Sequence, residues 1–253
     1  MKSWKKYLAE CIGTFVLTFV GCGVAVVTNC SFNNVAGLVG TALAFGGAIV
    51  ALAYVIGPVS GCHVNPAVSL AMFINKKLSL KDFLLYVVSQ FIGGLVAGGL
   101  LFLVFFYLRK TGDALGSGLG SNAIQDLLKE RVVENLTVRY DIKPLSYVLA
   151  FLGEVVLTGI FVFTILGVTS KAENGPVGGL VIGGSLAFVH LMGIGLTGTS
   201  VNPARSFGPA IFAIINGHTD PIKQIWIFLL APLVGAAIAA VLFRFVFKEK
   251  EAE

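Results

Sequence analysis

The tripeptide Asn-Pro-Ala occurs twice, at Asn65-Pro66-Ala67 and at Asn202-Pro203-Ala204, each time between long apolar segments. Proline is accommodated in the first turn of a helix, where its missing N–H has no intrahelical partner to lose. Asparagine just before it is a favoured N-cap. Each copy therefore reads as the start of a helix set inside sequence apolar enough for a bilayer. The apolar runs that follow, Ala67 to Ile74 and Phe207 to Ile215, are too short to cross one. About ten residues rise roughly 15 Å, half of a ~30 Å hydrocarbon core. Two half-helices entering from opposite faces would complete one crossing and bring both asparagines to the midplane, which points to a pore.

The rest of the chain supplies the membrane. Hydrophobic residues make up 56% and charged residues 12% of the sequence, half the charge of an ordinary soluble domain. Glycine, at 31 residues, suits close helix–helix approach in lipid. The net charge of +5 calls for no nucleic-acid partner, because the basic residues cluster beside apolar segments as membrane flanks do. Cys11, Cys22, Cys30 and Cys62 have no metal-like spacing and no disulfide framework, and nothing in the chain asks for a cofactor. The N-terminal apolar run lacks a small-residue cleavage site and reads as a retained first helix.

Six spanning segments are expected, at about 7–28, 35–56, 82–108, 145–169, 177–197 and 223–247. Trp4, Tyr7, Tyr54, Tyr86, Tyr107, Tyr147 and Trp226 gather near their ends, as an interfacial aromatic belt would. The longest polar stretch, Lys110 to Lys143, holds a Gly-Ser run from Gly116 to Ser121 and a segment, Ala123 to Arg131, that reads as helical. It divides the chain into related halves. Ala9-Glu10 matches Gly153-Glu154, Leu43-Ala44-Phe45 matches Leu186-Ala187-Phe188, and the two asparagines follow at nearly the same separation. The expected organisation is one channel domain: a first repeat at about 1–109, a connection at about 110–144, and a second repeat at about 145–253. Three spans per repeat invert the second in the membrane, a transport architecture.

Lys2, Lys5, Lys6, Lys76, Lys77, Lys81, Lys171, Lys248 and Lys250 fall on one side of six spans, the cytoplasmic side by the positive-inside rule. Both termini are therefore expected in the cytoplasm. Lys110, Lys129, Arg131, Arg139 and Lys143 of the long connection oppose that orientation.

The segments Ser60-Gly61-Cys62-His63-Val64-Asn65-Pro66-Ala67-Val68 and Gly198-Thr199-Ser200-Val201-Asn202-Pro203-Ala204-Arg205-Ser206 resemble the two signature loops of the aquaporin family, the major intrinsic proteins. The resemblance covers nearly the whole chain and is closest to the family's bacterial water-selective type. Glycerol facilitators usually carry aspartate after the arginine, where this chain has Ser206. It implies an all-α membrane protein of six spans and two re-entrant half-helices in an inverted repeat. It further implies a homotetramer in the plasma membrane lipid bilayer, passing water and performing no enzymatic chemistry.

By the same resemblance Phe45, His190, Thr199 and Arg205 form a selectivity filter, and Asn65, Pro66, Ala67, Asn202, Pro203 and Ala204 the pore midplane. Each asparagine amide offers two N–H donors to a passing water, and two half-helix dipoles would repel a proton there. Gly61, Cys62, His63, Val64, Gly198, Ser200 and Val201 would line the path with backbone carbonyls. Glu10 and Glu154 would brace the loops. An arginine at membrane depth, costing about 2.5–3.5 kcal/mol to insert, faces a wet cavity as a rule. The alternatives are a facilitator of glycerol or small neutral solutes, disfavoured by His190 and Ser206, and a coupled transporter using Glu10 and Glu154. An intramembrane enzyme is a third, but Ser60, Ser200, His63 and His190 are not spaced as a catalytic series.

Overall fold

The computed structural model describes residues 4–110, 118–134 and 137–247. Lys2, Gly116, Ser117, Lys248 and Lys250, used in the sequence reading, lie outside them, as do the side chains of Tyr107, Lys110 and Arg139. The helices in chain order are α1 (Trp4–Val27), α2 (Val35–Val55), α3 (Gly57–Ser60), α4 (Pro66–Ile74), α5 (Leu80–Lys110), α6 (Pro144–Val168), α7 (Gly175–Thr197), α8 (Pro203–Ala213), α9 (Asp220–Lys223) and α10 (Ile225–Phe247). Among the described residues six helices are long and apolar enough to cross a membrane: α1, α2, α5, α6, α7 and α10. They agree with the expected spans to within a few residues. Helices α4 and α8 are the two half-helices, and each starts at the proline of its Asn-Pro-Ala.

The halves interlock. α5, from the first half, packs along α1 and along α8 of the second half, while α10 packs along α6 and along α4 of the first. α2 and α7 face one another across the middle. Each half-helix thus rests against the last span of the opposite repeat. Glycine makes these approaches possible. A Cβ on Gly208 would strike the carbonyl of Gly94, and one on Gly94 would strike the carbonyl of Ala204. At the α2–α7 crossing a Cβ on Gly46 would stand 2.6 Å from the Gly183 carbonyl oxygen, and one on Gly183 2.5 Å from that of Gly46. The glycines of α5, Gly93, Gly94, Gly98 and Gly99, face α1 and α8 within the chain.

Two sequence expectations are corrected. Ala123 to Arg131 is not a helix: only a 3₁₀ turn, Asp126–Leu128, forms, and strand β1 (Glu130–Glu134) follows. It pairs antiparallel with β2 (Thr137–Asp141), placing Glu130 opposite Asp141. β-branched Val132, Val133, Thr137 and Val138 favour this hairpin over helix. Tyr86 is not part of an interfacial belt. It is 2% exposed, its ring meets the edges of Tyr7 and His63, and its hydroxyl donates to the Ser60 carbonyl at 2.7 Å. Trp4, Tyr54 and Trp226 remain exposed near helix ends.

The α5–α8 contact admits a direct check. Gly208→Ala should lower the thermal midpoint of the purified protein in detergent, with a cost of about 1–3 kcal/mol for forced overpacking. Gly184→Ala, where a Cβ would meet nothing within 4 Å, should leave it unchanged or slightly raised. Equal midpoints for the two variants would contradict the close approach.

Candidate functional site

The two signature loops have the same backbone. Gly61, Cys62 and Val64 adopt φ of +87°, +53° and +44°, and their counterparts Gly198, Thr199 and Val201 adopt +75°, +49° and +46°. Glycine takes this region freely, but β-branched valine and threonine are strained in it, by about 1–3 kcal/mol each. Buried carboxylates hold the strained segments. Glu10, fully buried, accepts at Oε1 from the Ser60 hydroxyl (2.6 Å) and the His63 N–H (3.0 Å). At Oε2 it accepts from the Val64 N–H (2.6 Å) and the Gln90 amide (2.7 Å). Glu154, also fully buried, accepts at Oε1 from the Thr197 hydroxyl (2.6 Å) and the Ser200 N–H (2.8 Å), and at Oε2 from the Val201 N–H (2.9 Å).

The asparagines meet where the half-helices begin. Asn65 Oδ1 caps the Ala67 N–H at 2.9 Å, while its Nδ2 donates across to the Val201 carbonyl at 2.7 Å. Asn202 Oδ1 caps Ala204 (3.1 Å) and Arg205 (3.2 Å), and its Nδ2 donates to the Val64 carbonyl at 2.9 Å. One donor of each amide is therefore used between the loops, and one rather than two is left for a ligand. The prolines Pro66 and Pro203 and the alanines Ala67 and Ala204 are buried at the two N-termini.

Three cavities lie in series along this axis. The outer one is lined by Thr41, Gly120, Gln125, Gly198 and Arg205 among others, and the middle one by Phe45, His63, Asn65, His190, Ser200, Asn202 and Arg205. The inner one takes in Gly61, Cys62, His63, Val68, Met72 and Thr169. Arg205 is shared by the first two and His63 by the last two. About 70, 10 and 70 Å³ respectively are open to the centre of a water molecule, so the middle cavity has room for a single one. Its other wall is apolar, from Leu17, Ile49, Phe161 and Leu186.

Three of the middle cavity's lining side chains, Phe45, His190 and Arg205, gather at one place. The Phe45 and His190 rings stack with centroids 4.3 Å apart, and the Arg205 guanidinium carbon lies 4.9 Å from the Phe45 centroid. Gly21 makes room for Phe45, since a Cβ there would strike the ring. His190 anchors Nδ1 on the Leu186 carbonyl at 2.9 Å, while His190 Nε2 and Arg205 Nε are buried without a protein partner. Buried polar atoms left open in this way await a ligand or water. Thr199 does not join them: it lines none of the three cavities, and its buried hydroxyl lies against α7, where a Cβ on Gly193 would stand 2.5 Å from Thr199 Oγ1. His218 is exposed and apart from the site.

Sequence reasoning missed the residues that hold these groups. Gln90 joins Glu10 to Ser69, whose hydroxyl also contacts His63 Nδ1 at 3.2 Å. Thr197 and Ser60 orient the two glutamates. Gly120 and Asn122, from the long connection, accept from Arg205 Nη1. Ser60 and Thr197 directly precede Gly61 and Gly198, and that equivalence was the available signal. Nothing local marks Asn122.

The family model described as Major intrinsic protein matches residues 1–243. Aquaporin Z of Rhodopseudomonas palustris is 40% identical over 94% of this chain and 92% of that protein. Aquaporin Z of Bradyrhizobium diazoefficiens is 39% identical over 97% and 94%. The solved aquaglyceroporin of Plasmodium falciparum shares the fold, with a TM-score of 0.79 over 97% of each chain at 21% identity. The chain belongs to the major intrinsic protein family and is a multi-pass membrane protein.

The brace geometry separates the two glutamates. A glutamine has one acceptor oxygen, so Glu154→Gln leaves the Val201 N–H facing an amide N–H, whereas Glu10→Gln leaves both the Val64 N–H and the Gln90 amide unmatched. Each such loss costs about 1–3 kcal/mol. Both variants should melt below the parent in detergent, and Glu10→Gln below Glu154→Gln. The reverse order would mean that the carboxylate contacts do not set the stability of the loops.

Proposed function

We propose that this member of the major intrinsic protein family is a passive, water-selective channel with one pore per subunit, running through the three cavities in series. The series is the observation that carries the reading, because its middle cavity has room for a single water between an apolar wall and a wall of polar groups. Relatives named Aquaporin Z fit the same substrate. Phe45, His190, Thr199 and Arg205 act as the filter. The rings of Phe45 and His190 exclude a polyol by bulk, while His190 Nε2 and Arg205 Nε give a water its lost hydrogen bonds. Thr199 contributes its carbonyl.

At Asn65 and Asn202 each amide has one N–H to direct at a passing oxygen. The positive ends of α4 and α8 converge there and raise the energy of a cation or an excess proton. Gly61, Cys62, His63, Val64, Gly198, Ser200 and Val201 supply the carbonyl track, and Glu10 and Glu154 brace it. The two repeats, about 1–109 and 145–253, are joined by the 110–144 connection, and four copies assemble in the plasma membrane.

Cytoplasmic termini are favoured by the lysines that gather at one membrane face. Lys6 lies 3.8 Å from Asp82, and Lys77 donates to the Thr169 carbonyl at 3.3 Å. These contacts gather the start of α1, the α4–α5 connection and the end of α6 at one membrane face. At the other, Lys129 pairs with Asp126 (2.9 Å) and Lys143 with Glu130 (3.2 Å).

Stopped-flow light scattering of proteoliposomes tests the reading. Fast shrinkage in both sucrose and glycerol, with slow re-swelling in glycerol, is expected. Rapid glycerol re-swelling would give the chain to neutral-solute transport, and proton coupling would give it to a transporter. The double variant Phe45→Ala/His190→Gly should admit glycerol, since bulk and a hydrogen-bonding ring nitrogen leave the filter together. Continued exclusion by an inserted double variant would misplace the filter.

Cys62 offers an independent check of the path. It lines the inner cavity beside His63 and is partly buried. Mercuric chloride should slow water flow and a reducing thiol restore it, and Cys62→Ser should remove the effect. Inhibition that survives Cys62→Ser would take this residue off the path.

A further inference from the structure

The long connection dips back into the outer mouth, and its residue Asn122 is 1% exposed there. Its side chain is used at every atom that can bond. Oδ1 accepts from Arg205 Nη1 and also from the Ser206 hydroxyl at 2.8 Å, while Nδ2 donates to the Thr197 carbonyl at 3.2 Å. The Gly120 carbonyl takes the second proton of Arg205 Nη1 at 3.1 Å. Both protons on that nitrogen are therefore spent on the connection. Arg205 Nε, buried and without a partner, is left toward the cavities.

We propose that Asn122 is a specificity-determining positioning residue, fixing the rotamer of Arg205 so that its free N–H groups and its bulk face the pore at one distance from Phe45. This rests on the proposed filter role of Arg205. An arginine side chain carries much rotamer freedom, and a guanidinium tied only through Gly120 can swing about that single bond. Asn122 supplies the second point, and two points on one nitrogen define the plane. Through Thr197 the same amide is tied to the residue that orients Glu154, so the connection, the brace and the arginine form one hydrogen-bonded unit. Ser206 matters in the same way: its hydroxyl is a donor, so it shares Oδ1 with the guanidinium without repulsion. The segment Gly118 to Gln125 thus has a task that its polar composition does not disclose.

The experiment measures water and glycerol permeability in proteoliposomes for the parent, Asn122→Ala, Arg205→Val and the double variant. Asn122→Ala should raise the glycerol-to-water ratio roughly tenfold, the low end of what a hydrogen bond to a charged group is worth. On the Arg205→Val background it should add less than about twofold, because a residue acting through Arg205 has nothing left to position. An equal increment on both backgrounds, or no increment in Asn122→Ala while Arg205→Val raises the ratio, would overturn the proposal. No change in Arg205→Val itself would instead remove the filter reading beneath it.

Asn122→Asp keeps the acceptor for Arg205 and Ser206 but turns its second oxygen toward the Thr197 carbonyl, so its folding is first checked by thermal midpoint; once shown folded, it guards against a misfolded alanine variant. It should preserve glycerol exclusion yet raise proton leak measured with an entrapped pH dye, because its carboxylate offsets the guanidinium charge. Loss of glycerol exclusion in folded Asn122→Asp would also count against positioning by the acceptor.

Discussion

Peptide groups in hydrocarbon have no water to turn to, and each one left unpaired costs several kcal/mol. A loop that leaves helix geometry at membrane depth exposes such groups, so it creates the deficit it has to repair. Here the repair is two carboxylates, Glu10 and Glu154, each without exposure and each accepting from main-chain N–H groups of the loop beside it. Without those acceptors the left-handed turns at Cys62, Val64, Thr199 and Val201 would have both strain and unpaired donors against them. A buried ion is itself expensive unless it is fully hydrogen-bonded, and that condition is met with four donors on Glu10 and three on Glu154.

With the loops held, the half-helices can meet end to end. Two helix N-termini pointing at one another repel through their dipoles. The reciprocal bonds from Asn65 to the Val201 carbonyl and from Asn202 to the Val64 carbonyl oppose that repulsion directly. They tie each positive end to a carbonyl oxygen of the other loop. The same bonds orient both amides, so that the remaining N–H of each is directed by structure rather than by a passing ligand. The close glycine contacts of α5 with α8 then hold the second half-helix at its depth.

How much of this the sequence disclosed follows from what is local. Asn-Pro-Ala is a capping motif whose meaning is contained in three residues, so both half-helix starts were legible. Apolar segments near twenty residues long announce themselves, and the six spans were found. The duplicated glutamates could be matched across the halves. Asn122, Gln90 and Tyr86 could not be found in this way, because each acts on residues distant in the chain and sits in sequence typical of a loop or an ordinary span. Tyr86 looked like an interfacial aromatic because position along a helix says nothing about which side faces the protein. The 123–131 segment failed for the opposite reason: taken by itself it reads as helical, while the β-branched residues just beyond it made a hairpin.

The two halves share a backbone but not a support. In the first, Gln90 of α5 grips Glu10 and Ser69, and Tyr86 holds the Ser60 carbonyl, so everything comes from one rigid span. In the second, the serine equivalent to Ser69 is Ser206, and it is gripped by Asn122 from the connection between the repeats. Proline occupies position 232 of α10, where α5 has Gln90, and cannot donate from a side chain. The second loop therefore draws its amide from outside the membrane helices, and the segment that supplies it also reaches Arg205. A duplicated scaffold became asymmetric at the Arg205 end, where the connection between its halves puts a side chain that has no counterpart in the first loop.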